Sequence, residues 1–400
     1  MALNRYNLTF SGLLIIHFSI LLYLVDSFSI SYDEADIYFN QNNILAYITN
    51  FFTTVFGQND FALRIPFILF YMGSAVLLYL LTDDYFKNKW DRVVSTAIFM
   101  LLPGVNSAAL LVNESIIVIF GTLLYLYLYK LREKEHYLLL VLFLFIDNSF
   151  AILFLALFFY SLKKRDNTLL IVTLVLFGLS MSMYGFEIGG KPKGYFIETF
   201  GIYATIFSPL LFLYFFYSIY RVGIKHEKDL YWYISMTALF LSLVFSLRQK
   251  IAIEDFAPFV VIAIPIMLRL FLHSLRVRLK EFRKFHYIFS SIVLGVLIIN
   301  FIIFVFNKYL YVFTEFPRKH FAYKYHVAKE LSQKLKDLGI TSVSTYDKEL
   351  ALRLQFYKIG KGRDYLITPF KTRTAHKRIK INYYNKNIIN YYITKYNYSE

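Results

Sequence analysis

The sequence predicts an all-α polytopic membrane protein of about 11 transmembrane helices with a small α/β domain after them. Three observations carry that prediction. Of the 400 residues, 58% are hydrophobic and only 18% charged, where a soluble domain has roughly 45–50% apolar and about 25% charged residues. Apolar runs recur from Leu8 to Phe306, separated by short charged breaks. Beyond Phe306 the pattern shifts to short helix-like and strand-like segments rich in Lys and Arg. This composition excludes a disordered chain, a secreted disulfide scaffold and an ordinary cytosolic enzyme. The absence of cysteine removes disulfides, thiolate catalysis, iron–sulfur clusters and Cys-ligated zinc.

The predicted spans are Leu8–Phe28, Ile65–Leu81, Val94–Val112, Ser115–Tyr129, Tyr137–Ile146, Phe150–Leu162, Leu169–Gly185, Ile202–Tyr220, Leu230–Leu247, Phe256–Leu272 and Tyr287–Phe306. Leu8–Phe28 is long and lacks a small-residue cleavage site, so it reads as a retained signal anchor. Tyr137–Ile146 and Phe150–Leu162 are short and flank Asp147-Asn148-Ser149. They form either two half-length helices or one long crossing. Charge separates the two readings. With the N-terminus cytoplasmic and 11 spans, the inside breaks carry 18 Lys and Arg and the short outside loops carry 5, as the positive-inside rule requires. Fusing the short pair puts Lys163-Lys164-Arg165 outside and breaks the asymmetry.

This topology leaves two long outside segments and divides the chain at residue 308, into a membrane domain (1–308, with an external loop at 29–64) and an external domain (309–400). In the loop, Ile44–Val55 is apolar but too short to span, and reads as a helix lying along the interface. In the tail, Tyr323–Leu338 has helical periodicity and ends at Gly339, a C-cap signal. Ile340–Thr345 alternates like a strand, Asp347–Tyr357 reads as a helix and Tyr365–Thr368 as a strand. The last stretch is rich in Asn and Tyr and is either a strand pair or a frayed end. From Phe316 to Glu400 there are 18 basic and 6 acidic residues. Placed outside the membrane, this basic tail argues against nucleic acid and for acidic lipids or glycans. No internal repeat is present.

The strongest chemical signal is Asp33-Glu34-Ala35-Asp36, just past the first span. Three neighbouring carboxylates repel one another and are costly near a low-dielectric surface unless a cation, proton or substrate engages them; the plain alternative is a solvated juxtamembrane loop. The acidic pair is followed by the interfacial segment and by Phe56-Gly57-Gln58-Asn59-Asp60-Phe61-Ala62-Leu63-Arg64-Ile65-Pro66, which opens the second span. This arrangement resembles the GT-C class of glycosyltransferases that use lipid-linked sugars, in particular the bacterial protein-mannosyltransferase and aminoarabinose-transferase-like group (glycosyltransferase family 39-like). The resemblance rests on motifs within the first 130 or so residues and on topology beyond them. Two positions depart from it: Asp36 stands where aminoarabinose transferases commonly have Arg, and Asn42-Asn43 replace a His/Lys-Pro-Pro segment.

The resemblance implies an inverting transferase in a bacterial inner membrane. It would move a sugar from a polyprenyl-phosphate donor to a periplasmic glycan, lipid or protein. Asp33 takes the place of the family's reaction-centre acid, as general base for the acceptor hydroxyl or as a metal ligand, with Glu34 beside it. Glu114, in Asn113-Glu114-Ser115, matches a second family acid by position and charge, as a catalytic residue or metal ligand; the alternative is a cap on the helix that follows. The implied metal is a divalent cation, Mg, Mn or Zn. Arg248 and Lys250 are the first candidates for the donor phosphate. Lys191 and Lys193 are the second, with snorkelling to lipid headgroups as the alternative. Arg64 is either a further donor-site cation or a structural partner for an acid of the first loop. The rival function, a transporter or flippase of lipid-linked glycans, predicts matched halves and charges at the midplane of spans; this chain shows neither.

Overall fold

The structure is a computed structural model that describes residues 4–185, 188–189, 193–371 and 376–395. Lys191 lies outside the described residues. Among these residues the chain runs through α1 (Arg5–Ser27), α2 (Tyr32–Asn40), α3 (Ile44–Phe56), α4 (Asp60–Leu81), α5 (Lys89–Leu101), α6 (Pro103–Leu110), α7 (Glu114–Arg132), α8 (Tyr137–Leu144), α9 (Phe150–Lys164) and α10 (Asn167–Met183). A short strand β1 (Ile188–Gly189) leads into α11 (Phe196–Phe207), α12 (Pro209–Lys225) and α13 (Leu230–Ser246). Its antiparallel partner β2 (Lys250–Ile251) precedes α14 (Ile253–Val261), α15 (Ile264–Val277) and α16 (Lys280–Val305). The remainder holds α17 (Ala328–Asp337), β3 (Ser342–Thr345), α18 (Lys348–Phe356), β4 (Gly360–Thr368), β5 (Lys377–Tyr383) and β6 (Lys386–Lys395).

Four helices, α1, α4, α7 and α16, are long and apolar enough to cross a bilayer, and the bent pairs α5–α6, α11–α12 and α14–α15 bring the count to seven if each is one crossing. Four to seven candidate spans thus stand beside the eleven apolar runs. Three of the predicted spans, Val94–Val112, Ile202–Tyr220 and Phe256–Leu272, are bent by 62°, 106° and 41°. Proline is the cause. A residue before proline is pushed out of the α region. Leu102, before Pro103, is extended, and Ser208, before Pro209, has φ +86°. Pro265 stands in the first turn of α15, where it has no N–H for the Val261 carbonyl. The half-length alternative for the residues around Asp147 matches the observed lengths, 8 residues in α8 and 15 in α9.

By packing, the chain forms two compact units that interleave along the sequence. One contains the chain up to Phe18, Phe67–Ala109 and Asn113–Phe301; the other contains Ser19–Pro66, Leu110–Val112 and the chain from Ile302 onward. The division expected at residue 308 grouped loop 29–64 with the spans, whereas the packing groups it with the tail.

In the first unit, side chains cover the carbonyls that the breaks release. Asn106 donates to the Met100 and Leu102 carbonyls at 2.7 and 2.8 Å, and its Oδ1 meets His17 Nε2 at 2.7 Å. Pro258 has no N–H for the Glu254 carbonyl four residues back, and Ser115 Oγ donates to that carbonyl at 3.1 Å. Ser235 Oγ does the same for Phe259 at 2.7 Å. Within apolar surroundings each unsatisfied carbonyl is costly, so such partners permit the kinks.

In the second unit the tail builds a four-stranded sheet of order β3-β4-β6-β5, with β3 and β4 parallel across α18 and the other pairs antiparallel. Gly339, at φ +71°, ends α17 in the left-handed conformation that glycine adopts without strain. Asp347 caps α18 by accepting from Leu350 N–H. The Asn/Tyr-rich end is a strand pair: Tyr384 and Asn385, both at positive φ, form the two-residue turn between β5 and β6, and two left-handed residues match hairpin twist. The core joins Val327, Leu331 and Leu335 to Ile367, Ile379, Ile381 and Ile393.

His326 sits beside this core. Its Nδ1 is 2.9 Å from the Tyr311 hydroxyl, and its Nε2 is buried without a hydrogen-bond partner. Burial, reinforced by the Lys308 charge, lowers its pKa to about 2. Unfolded, the imidazole titrates near ~6.5, so below that pH the unfolded chain binds a proton that the folded chain refuses. Its contribution to stability is therefore complete above pH ~6.5 and lost as pH falls, by about 1.4 kcal/mol per pH unit. In detergent, the unfolding midpoint of the full chain should drop between pH 6.5 and 4.5, and His326→Phe should make that slope shallower. An unchanged slope in the variant would remove His326 from the acid response.

Candidate active site

Ser31-Tyr32-Asp33-Glu34 folds as a capping box, a local pattern that starts a helix. Ser31 Oγ accepts from Glu34 N–H at 3.2 Å, and Glu34 Oε2 accepts from Ser31 N–H at 2.8 Å. This turns Glu34 inward, where it is 2% exposed, against Arg64, which is fully buried. Arg64 Nε donates to Oε1 at 3.2 Å and Nη2 to Oε2 at 2.9 Å. The guanidinium also donates to the Phe28 and Ser29 carbonyls at 3.2 and 3.0 Å. Glu34 Oε1 accepts in addition from Val112 N–H at 3.3 Å. The charges so buried are matched donor for acceptor.

The same helix turns Asp33 the other way. Its side chain is 66% exposed and meets Lys324 Nζ at 3.0 Å. Burial works against the Lys324 charge, but Tyr325 and then Asp33 outweigh it and hold the ammonium above its usual pKa. Asp36, one turn on, accepts from Asn40 at 2.7 Å and Gln41 at 3.0 Å, and these bonds keep its carboxyl below the ordinary range. Asp60 is buried and accepts from the Tyr357 hydroxyl at 2.7 Å, with Lys329 at 3.3 Å. Burial, then the Asp60 charge, pushes the Tyr357 hydroxyl well above its ordinary value, so it remains a donor.

Tail residues that the sequence reading did not single out hold the loop in place. Arg353 donates to the Ile30 carbonyl at 2.7 Å, to Ser29 Oγ at 3.0 Å and to the His326 carbonyl at 2.7 Å. Ser29 N–H donates to the Tyr325 carbonyl at 2.8 Å, and Ile30 N–H to Tyr357 Oη at 2.9 Å. These partners are some 300 positions apart, and no local pattern signals them. One local signal was present and went unread: Ser31 with Glu34 three residues on fits the capping-box pattern, which starts a helix there.

The other expected residues lie in the first unit. Glu114 opens α7 behind its cap, Asn113. Asn113 donates to Glu254 Oε2 at 3.2 Å, and Ser149 Oγ to Asp255 at 3.3 Å. The β1–β2 pair and the Tyr195 N–H bond to the Ser246 carbonyl (2.7 Å) join the segment holding Lys193 to that holding Arg248 and Lys250. Arg248 and Lys250 are exposed, Lys250 lies 3.8 Å from Glu198, and Lys193 Nζ stands 5.1 Å from the Tyr195 ring centroid. Among the described residues no three His, Cys, Asp or Glu side chains form a metal-holding group.

Apolar helices in this number, with an acid-bearing loop before α4, fit a multi-pass membrane protein. Residues 41–147 match the dolichyl-phosphate-mannose-protein mannosyltransferase family. This match bears out the resemblance read from the motifs; it takes in Arg64 and Glu114 and begins after Asp33. No curated protein matches the chain.

The buried pair sets a stability test. Arg64→Met leaves the Glu34 charge without its partner and should cost about 3–5 kcal/mol. Combining it with Glu34→Gln should recover part of the loss. Thermal unfolding of the three variants in detergent measures both effects. A double-variant loss equal to the sum of the two single losses would mean that the two side chains act independently.

Proposed function

We propose that the chain transfers a sugar from a polyprenyl-phosphate donor to a hydroxyl of a periplasmic glycan, lipid or protein, with inversion, and that Asp33 is the general base. The supporting observation is the state of the loop's four acids. Glu34 is committed to Arg64, Asp36 to Asn40 and Gln41, and Asp60 to Tyr357 and Lys329. Asp33 alone of the four is well exposed and paired with a single exposed ammonium. The resemblance places the reacting carboxylate at the same residue.

In this reading the acceptor oxygen bonds to the anomeric carbon as the bond to the phosphate oxygen breaks. The electron pair departs with polyprenyl phosphate, and the acceptor proton passes to Asp33. Lys324 serves best by exchanging Asp33 for the donor phosphate, which frees the carboxylate for the acceptor proton and steadies the leaving group. Glu34 and Arg64 act as positioning residues that hold the first turn of α2. Arg248, Lys250, Lys191 and Lys193 are retained as donor-phosphate cations, and Glu114 as a second acid. The Lys and Arg bias along the chain supports a cytoplasmic N-terminus, an inner-membrane location and a periplasmic tail.

Mass spectrometry of lipid extracts from cells with and without the gene identifies the donor and the modified product. With that donor, Asp33→Asn should lower turnover by about 10²–10⁴-fold, and Asp36→Asn should keep most of it. Lys324→Met should raise the donor KM by about ten-fold or more, the worth of one charged hydrogen bond, and Lys250→Ala should also weaken donor use. Wild-type turnover in Asp33→Asn refutes the base assignment. If Asp36→Asn is the inactive variant instead, the loop remains the site with the wrong carboxylate named.

A further inference from the structure

In the first unit, the C-terminal half of α12, the end of α15 and the start of α16 enclose a cavity of about 160 Å³. Tyr214, Tyr217, Arg221, Arg278, His286 and Phe289 are among the residues that line it. Several other cations in this unit have acidic partners: Arg92 meets Asp83, Lys130 meets Asp84, Lys164 meets Glu135 and Arg276 meets Asp91. Among the described residues, neither Arg221 nor Arg278 has a carboxylate at ion-pair distance. Arg221 Nη1 donates to Tyr217 Oη at 2.8 Å, while its Nε is buried with no partner, as is His286 Nδ1. Arg283 closes the turn by donating to the Arg278 and Arg276 carbonyls at 2.8 and 2.9 Å. That turn holds Arg278 at the rim of the cavity.

The surroundings specify the ligand. Phe285, Ile288, Phe289 and Ile292 on α16 present exposed apolar side chains, as a helix facing lipid does. Lys225, Lys280 and Lys284 add positive charge close by in sequence. Two guanidiniums without acidic partners, walled by aromatic rings and bordered by a lipid-facing helix, complement an anionic phosphate attached to acyl chains. We propose that this cavity holds the phosphate headgroup of an anionic membrane phospholipid, at a site separate from the first loop and independent of the transfer chemistry.

The test uses the full chain in nanodiscs of phosphatidylcholine with phosphatidylglycerol, extracted gently and examined by native mass spectrometry for retained lipid. Wild type should retain phosphatidylglycerol in preference to phosphatidylcholine. Arg221→Gln/Arg278→Gln should lose about thirty-fold in that preference, since each basic residue near anionic lipid is worth about five-fold. Ser274→Trp, which fills the cavity from its lining and leaves the charges intact, should lose it too. That second variant keeps the test decisive if the double variant fails to fold. Lys87→Gln/Lys89→Gln, which removes two charges outside the cavity lining, should retain it. Equal retention by wild type and the cavity variants overturns the proposal, as does an equal loss in the Lys87/Lys89 control, which would reflect general charge attraction. Displacement of the bound lipid by millimolar inorganic phosphate would assign the site to free phosphate and overturn the lipid assignment.

Discussion

The second unit depends on one buried ion pair. Taking a guanidinium and a carboxylate out of water costs several kcal/mol each, and the fold recovers this because each group is nearly saturated. Arg64 bonds both Glu34 oxygens and the carbonyls at the end of the first helix, Phe28 and Ser29. Glu34 also accepts from Ser31 and Val112. One pair thereby fixes four stretches of chain: the exit of α1, the first turn of α2, the first turns of α4, and residues 110–112. Removing either partner leaves the other as a buried charge. The consequence for chemistry is directional. In this helix the turn that buries Glu34 leaves its neighbour Asp33 exposed.

The helical unit meets a different constraint, that apolar surroundings offer no water to released backbone groups. Its prolines break three runs, and at two of the breaks short polar side chains take up released carbonyls: Asn106 with His17 near Pro103, and Ser115 and Ser235 along α14 and its bend into α15. These bonds join helices distant in sequence. The same residues that permit the bends therefore also fasten α7 to α14 and α13 to α14. Polar residues in the runs serve the backbone here.

Loop and tail form one unit because the tail supplies what the loop lacks. The extended stretch after α1 has backbone groups that no helix satisfies, and Arg353, Tyr357 and the Tyr325 carbonyl take them up. Lys324 then stands against Asp33 and Lys329 against Asp60. The surplus of basic residues in the tail, read from sequence as an attraction for acidic lipids or glycans, is spent in part on the acids of this loop.

Much of the architecture was written in local pattern. Apolar run length marked where α1, α4, α7 and α16 lie, because a spanning helix needs a minimum length whatever its neighbours. Gly339, Asp347 and the alternation around residues 342–345 marked the tail elements, because caps and pleats are decided within a few residues. The capping box at Ser31–Glu34 was equally local. Tertiary structure alone decided which acid is buried and which is exposed, that the tail embraces the loop, and where the helices bend. Composition placed Asp33, Glu34 and Asp36 together as one acidic cluster; Arg64, Lys324 and Asn40 separated them into three different environments. Desolvation and ion pairing depend on groups brought together in space, and in a chain of 400 residues those groups lie up to some 300 positions apart. That distance is why local pattern could show the acids only as a cluster, while the fold had to set the surroundings of each.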